Sequence, residues 1–213
     1  MSGIEIVILA VSAVISYLVG GVNGAIIMSR LVYHQDIRDY GSKNPGFTNF
    51  KRVYGNNPIS WIVMFFDILK TAICVAITAV VFSKFGGSFQ LGAAFSGLFC
   101  MIGHCFPIWY GFRGGKAFMA GFGTIWFVNW KMALIAMAVF LIVLGLFRYM
   151  SVASCTASLT CPIALFFLGY DIIWVWILCL ASALLVIARH WGNFVKLAHH
   201  EESKFSLRKT KKE

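Results

Sequence analysis

The stretch Gly103–Lys116, GHCFPIWYGFRGGK, joins the end of an apolar run to a cluster of glycines and basic residues. No Asp, Glu, Lys or Arg lies between Phe85 and Tyr110, and Arg113, two glycines and Lys116 follow directly. Glycines let backbone N–H groups approach an anion closely, and the two cations add fixed positive charge. The stretch therefore predicts a phosphate or carboxylate site at a membrane surface.

The composition is that of a membrane protein. Of the 213 residues, 60% are hydrophobic and 12% are charged, and the mean hydropathy is +0.81. Several segments approach the ~20 apolar residues that span a bilayer. The sequence predicts one all-α integral membrane domain over residues 1–213, with a solvated basic tail from about residue 205. The seven predicted spans are about 3–29, 59–83, 88–110, 117–129, 131–147, 151–170 and 171–188.

The basic residues predict the orientation of these spans. If the loop after the first span is cytoplasmic, fifteen Lys and Arg residues lie on that side, and Lys84 and Lys131 lie on the other. Such a bias places the N-terminus outside and the C-terminus in the cytoplasm. The net charge of +10 is thus mainly a topology signal that also suits anionic lipids, and it does not require a nucleic-acid partner.

The six cysteines all fall within apolar segments and form no C-x-x-C pair, which favours a packing role over a metal or redox role. We expect neither a metal nor a cofactor. Lys70 is the one basic residue inside a predicted span, and Asp67 lies three residues before it on the same helix face. This pair either neutralises itself or takes part in a site.

Two further loops share the predicted cytoplasmic face with the opening stretch. The first runs from Asp36 to Gly55, DIRDYGSKNPGFTNFKRVYG, and the last from Arg189 to Lys204, RHWGNFVKLAHHEESK. Both combine amides or hydroxyls with cations. Three donor-rich loops at one surface favour a ligand with more than one anionic group.

The three loops together resemble the motifs of the PlsY family of acyl-phosphate:glycerol-3-phosphate acyltransferases. GSKNPGFTNFKRVYG matches the family pattern GSGNPGATNxxRxxG, and GHCFPIWYGFRGGKAFMA matches GHxFPxxxxFxGGKGVAT. RHWGNFVKLAHHEESK matches RHxENIxRLxxGxExK more loosely, and the short pieces DILK and RYMS agree too. The chain is identified as a divergent member. It departs from the motifs at Lys43 (for Gly), Phe47 (Ala), Ala117 (Gly), Ala120 (Thr), Gly192 (Glu) and His200 (Gly).

The resemblance implies transfer of a fatty acyl group from acyl phosphate to the 1-hydroxyl of glycerol 3-phosphate, giving lysophosphatidic acid and phosphate, in a bacterial cell membrane. Its partners would be acyl phosphate, glycerol 3-phosphate and membrane lipids. The catalytic residues that it implies are Ser42, Arg52, His104, Arg113, Lys116, His190 and Asn193. The substrate-binding residues are Asn44, Gly46, Thr48, Asn49, Gly114, Gly115, Glu202 and Lys204.

Several alternatives stay open on the residues alone. His104 would either shuttle a proton or act as an orienting donor. The departures allow a weakened descendant that binds or transports a phosphorylated substrate without turnover. His34 and Asp39 have the His–four residues–Asp spacing of a different acyltransferase superfamily, although their surroundings lead into the first motif. The GFRGGKA stretch lacks the spacing of a Walker loop.

Overall fold

Ten α-helices make up most of residues 1–206, the part of the chain that this computed structural model describes. Their bounds are α1 Gly3–Gly21, α2 Gly24–Tyr33, α3 Phe47–Tyr54, α4 Pro58–Lys84, α5 Phe89–Cys105, α6 Phe118–Val128, α7 Trp130–Phe147, α8 Met150–Phe167, α9 Ile173–Arg189 and α10 Trp191–Ala198. Short 3₁₀ turns at Ile37–Asp39 and Ile108–Tyr110 complete the secondary structure of these residues.

Within residues 1–206, five stretches are long and apolar enough to cross a bilayer, and α9 with α10 makes up to six if that bent pair is one span. The fourth predicted span, α6, is an apolar helix of 11 residues, shorter than the ~20 that a full crossing needs. Large apolar side chains such as Leu69, Ile73 and Ile77 are more than half exposed along one face of α4. Such a face suits contact with lipid tails.

The first predicted span, 3–29, is two helices rather than one. Asn23 separates α1 from α2, because its side-chain oxygen caps α2 by accepting from the Ile26 N–H at 3.0 Å. Its amide nitrogen donates to the Pro45 carbonyl at 3.0 Å. The break therefore fixes the first loop against the bundle.

Close helix contacts explain where some glycines lie. A Cβ on Gly103 of α5 would overlap the Tyr17 carbonyl of α1, and one on Gly20 would overlap Cys100. Small residues let membrane helices approach at backbone distance. All six cysteines are buried and free, in accordance with the packing role expected for them.

The first residues of the predicted tail contact the rest of the protein. Phe205 donates its backbone N–H to the Arg148 carbonyl at 2.6 Å, and the Ser206 carbonyl accepts from Lys51 Nζ at 2.8 Å. Phe205 is thus half-buried, whereas Ser206 is exposed and is held through its carbonyl. The rest of the predicted tail, 207–213, lies outside the described residues.

Candidate active site

The first loop is held in shape by Asn49, a buried residue at the start of α3. Its side-chain oxygen accepts from the Ser42 N–H at 2.7 Å, and its amide nitrogen donates to the Tyr40 carbonyl at 3.0 Å. Because both ends of the Asn49 amide are used, the residue shapes the loop that carries Ser42 and Asn44. Gly41 adopts a left-handed φ of 59° beside it, which a glycine tolerates without strain.

The second loop folds back against the end of α5. Gly115 donates its N–H to the His104 carbonyl at 2.9 Å, and a Cβ on Gly115 would overlap the ring nitrogen His104 Nε2. Arg189 donates to the carbonyls of Gly114 and Gly115, each at 3.1 Å. The two glycines are therefore needed for close packing, and the guanidinium of Arg189 holds their backbone in place.

A chain of side-chain hydrogen bonds joins the second loop to the third. Lys116 Nζ donates to the side-chain oxygen of Asn193, whose amide nitrogen donates to Glu202 at 2.9 Å. The other Glu202 oxygen accepts from Ser151 Oγ at 2.9 Å. Lys116 is thus held at the cavity wall with a carboxylate nearby.

Burial lowers the pKa of Lys116 to about 8, while the nearby Glu202 carboxylate acts in the opposite direction. At this pKa the ammonium is still mostly protonated at neutral pH. A further anion beside it would stabilise the charged form. The Lys116 ammonium is therefore suited to binding a phosphate group.

The pair of Asp67 and Lys70 turns out to adjoin His104. Lys70 Nζ lies 2.9 Å from an Asp67 carboxylate oxygen and 3.2 Å from His104 Nδ1. An ammonium has only hydrogens to donate, so His104 Nδ1 accepts and Nε2 carries the ring hydrogen. His190 is oriented differently, since its Nδ1 donates to the Val186 carbonyl at 2.7 Å. Each histidine therefore has its second ring nitrogen available for other partners.

The segment after α10 crosses the first loop. Ser203 Oγ accepts from an Arg52 guanidinium nitrogen at 2.9 Å, and Lys51 lies over the Phe205 ring at 4.6 Å. Together with the bond from Lys51 to Ser206, these contacts cover one side of the site. Residues 203–206 thus help to enclose the site that the loops form.

A polar cavity of about 840 Å³ lies where the three loops meet. Of the fifteen site residues expected from the sequence, eleven line it: Ser42, Asn44, Gly46, Thr48, Asn49, Arg52, His104, Lys116, His190, Asn193 and Glu202. Gly114 and Gly115 do not line this cavity; Gly114 lines an adjoining pocket with Lys116 and Asn193, and Gly115 packs against the His104 ring. The structure thus brings residues from distant parts of the chain into one pocket.

Two cations expected in the site lie outside this cavity. Arg113 is exposed and lines a separate surface depression with Arg38, whose guanidinium donates to the Arg113 carbonyl at 3.4 Å. Lys204 is exposed and does not line the cavity. His34 and Asp39 are also exposed and lie outside the cavity, so their spacing does not form part of this pocket.

Sequence reasoning left some cavity residues out of the site. Asp67 lines the cavity, although its pairing with Lys70 had left its role undecided. Ser151 and Ser154 of α8 line it too. The RYMS match contained Ser151, but only the fold shows that the first turns of α8 face the three loops.

An apolar cavity with about 650 Å³ of empty space adjoins the polar one, enclosed by α5 to α9. Phe118 lines both cavities, and its ring stacks on Phe140 with 5.0 Å between centroids. The polar cavity therefore lies next to a space whose apolar lining suits a hydrocarbon chain.

These features define a class: an integral membrane protein whose helices place a cavity lined by cations, amides and hydroxyls next to an apolar one. A family model described as glycerol-3-phosphate acyltransferase matches residues 10–200. The chain belongs to this glycerol-3-phosphate acyltransferase family, as the resemblance to PlsY predicted.

Relatives of similar length support the assignment. A glycerol-3-phosphate acyltransferase from Finegoldia magna is 35% identical over 197 residues, covering 92% of this chain and 96% of that protein. One from Brucella anthropi is 35% identical and covers 92% of each chain. The crystal structure of PlsY, an integral membrane glycerol 3-phosphate acyltransferase, in its glycerol 3-phosphate form superposes with a TM-score of 0.84 at 30% identity, covering 93% of this chain and 96% of that one.

Proposed function

We propose that this protein transfers a fatty acyl group from acyl phosphate to the 1-hydroxyl of glycerol 3-phosphate, giving lysophosphatidic acid and phosphate. The observation that carries the proposal is the junction of the two cavities at Phe118. The polar cavity offers the cations and amides that two phosphate groups require, and the apolar cavity suits a fatty chain. A single donor with a phosphate at one end and a hydrocarbon at the other matches both.

The proposed step needs no covalent enzyme intermediate, because phosphate is already a good leaving group. The hydroxyl oxygen bonds to the acyl carbon, and the bond from that carbon to the phosphate oxygen breaks. The electron pair stays on the departing phosphate, which takes up the hydroxyl proton. Positioning of the two substrates and stabilisation of developing charge then account for most of the acceleration.

The side chains have distinct proposed roles in this step. Lys116 and Arg52 offset the charge of the two phosphates, with Asn44, Thr48 and Asn193 as neutral donors or acceptors. His104 acts as an orienting donor through Nε2–H, in preference to a proton shuttle, because Lys70 occupies its other ring nitrogen. Arg113 and Lys204 attract anionic substrates to the surface rather than contact the reacting atoms.

We further propose seven crossings of a bacterial cell membrane, made by the five long apolar stretches, by α9 and by the short α6, with the N-terminus outside and the C-terminus in the cytoplasm. Two observations support this topology. The basic residues are distributed fifteen to two, and contacts of Arg38 and Arg189 join the second loop to the other two. All three loops then face the side on which soluble glycerol 3-phosphate is present.

The direct test is product formation by the purified protein in lipid, supplied with synthetic acyl phosphate and glycerol 3-phosphate. We expect lysophosphatidic acid and phosphate in equal amounts, and no lysophosphatidic acid when glycerol 3-phosphate is omitted. Saturable binding of glycerol 3-phosphate without any product would contradict the proposal and favour a descendant that only binds or transports.

A further inference from the structure

Ser154 of α8 is a buried hydroxyl with no bonding partner in residues 1–206. Its side chain is 1% exposed, and its oxygen has no hydrogen bond within the described part of the chain. Thr160, on the same helix, behaves in the ordinary way and donates to the carbonyl four residues earlier at 2.9 Å. A buried hydroxyl without a partner destabilises the folded protein. Ser154 thus has an unused donor that a ligand can satisfy.

Ser154 lies where the polar cavity meets the apolar one. Ser151 and Ser154 line the polar cavity, whereas Ala157 and Cys161 on the following turns of α8 line the apolar one. Ser154 is therefore the last of the residues on this face that line the polar cavity before the lining becomes apolar. Phe118, which lines both cavities, marks the same junction from α6.

The chemistry of the donor predicts which of its atoms reaches this junction. In an acyl phosphate the carbonyl carbon is bonded to the phosphate on one side and to the hydrocarbon chain on the other. With the phosphate in the polar cavity and the chain in the apolar one, the carbonyl lies between them. Resting on the proposed function, we propose that Ser154 donates a hydrogen bond to this carbonyl oxygen and stabilises it as it becomes an oxyanion.

Ser154 keeps its own proton throughout the proposed step and forms no covalent bond. The carbonyl oxygen gains negative charge when the glycerol 3-phosphate oxygen attacks, and it loses that charge when phosphate departs with the hydroxyl proton. A donor aimed at such an oxygen acts more strongly on the transition state than on the ground state. Removal of one such donor typically lowers kcat by about 10²–10³-fold.

The variant that tests this role is Ser154→Ala, studied in the purified full-length protein with acyl phosphate as donor. We expect kcat to fall at least about tenfold, with the KM for glycerol 3-phosphate changed by less than about twofold. The thermal unfolding midpoint should not fall, because the variant removes a buried hydroxyl that has no protein partner. Thr160→Ala is the matched control, since it removes a hydroxyl from α8 that lines neither cavity, and it should retain wild-type kcat.

Wild-type kcat in Ser154→Ala would overturn the inference while leaving the proposed function intact. A loss of kcat that is accompanied by a lower unfolding midpoint, or that is matched in Thr160→Ala, would identify a structural role and overturn it as well. Absence of turnover in the wild-type protein would refute the proposed function, and the inference with it.

Discussion

At the scale of single residues, three departures from the family motifs share one backbone conformation. Lys43, Ala117 and His200 stand where the motifs have glycine, and their φ angles are 60°, 59° and 60°. A residue with a Cβ pays about 1–2 kcal/mol for this left-handed conformation. The motif glycines are thus explained by backbone geometry, and this chain keeps the geometry without them. The sequence shows that Ala117 replaces a motif glycine, but its positive φ could be known only from the folded loop.

The first prediction concerns Ala117, which is buried directly after Lys116. Ala117→Gly should raise the free energy of unfolding by about 1 kcal/mol, because glycine adopts a positive φ without strain. Chemical or thermal unfolding in detergent measures the change. Ala120→Gly is the matched control, since Ala120 lies within α6, where the same replacement should lower stability by about 1 kcal/mol. A loss of stability in Ala117→Gly would contradict the explanation.

The second prediction concerns the charge on Lys116. With a pKa of about 8, its ammonium is protonated below that pH and loses its charge above it. The kcat/KM for glycerol 3-phosphate should therefore fall as the pH rises from about 7.5 to 9. In Lys116→Arg the guanidinium stays charged over this range, so whatever activity remains should lack the fall. A wild-type profile that stays level to pH 9.5 would show that the Lys116 ammonium does not bind substrate.

At the scale of helices, the sequence predicted the boundaries that follow from the length of apolar segments. It did not predict the boundary that depends on a polar helix cap. The break between α8 and α9 was predicted between residues 170 and 171, and in the structure α8 ends at Phe167 and α9 begins at Ile173. The break at Asn23 was not predicted, because it depends on a hydrogen bond to Pro45 in a different loop. The short helices α3 and α10 were predicted as loops, since their polar residues resemble turns when their packing partners are unknown.

The candidate site shows the same division. Eleven of the predicted residues line one cavity. They belong to the three family motifs, and the loops that carry these motifs meet at that cavity. Arg113 was placed in the site by its position next to the glycines, yet the loop turns its side chain outward. Ser154 was missed since nothing in the sequence distinguishes a serine that faces a cavity from one that bonds to its own helix.

The third prediction tests the apolar cavity as the binding site of the acyl chain. Ala136 of α7 lies one turn before Phe140, so it is about 6 Å further from the junction at Phe118. Ala136→Phe should fill this part of the cavity and lower kcat/KM for long-chain donors relative to short-chain ones. The ratio between two donors in the same sample is the measure, because it is independent of how much protein folds.

Leu134→Phe is the matched control for Ala136→Phe. Leu134 lies on α7 with 42% of its surface exposed and does not line the apolar cavity. It should keep the wild-type ratio between long and short donors. An unchanged ratio in Ala136→Phe would show that the chain binds elsewhere.

At the scale of the whole molecule, the fourth prediction is the orientation in the membrane. Lys84 and Lys196 are both exposed, and the proposed topology places them on opposite sides. In a background without the six native cysteines, Lys84→Cys should react with an impermeant thiol reagent in intact cells. Lys196→Cys should react only after the cells are opened, which also serves as its positive control. The reverse pattern would invert the topology.

The donor is the point on which the whole account depends, because the proposed acyl phosphate would have its phosphate among the three loops and its fatty chain in the apolar cavity. Enzymes that use thioester donors and a His–Asp pair must activate the acceptor hydroxyl. In this chain His34 and Asp39 are exposed and lie outside the cavity.

The most direct measurement compares acyl phosphate, acyl-CoA and acyl carrier protein as donors to glycerol 3-phosphate, using the wild-type protein and His34→Ala. We expect lysophosphatidic acid from acyl phosphate alone, at nearly the same rate in both proteins. Turnover of acyl-CoA that disappears in His34→Ala would contradict both the donor and the site.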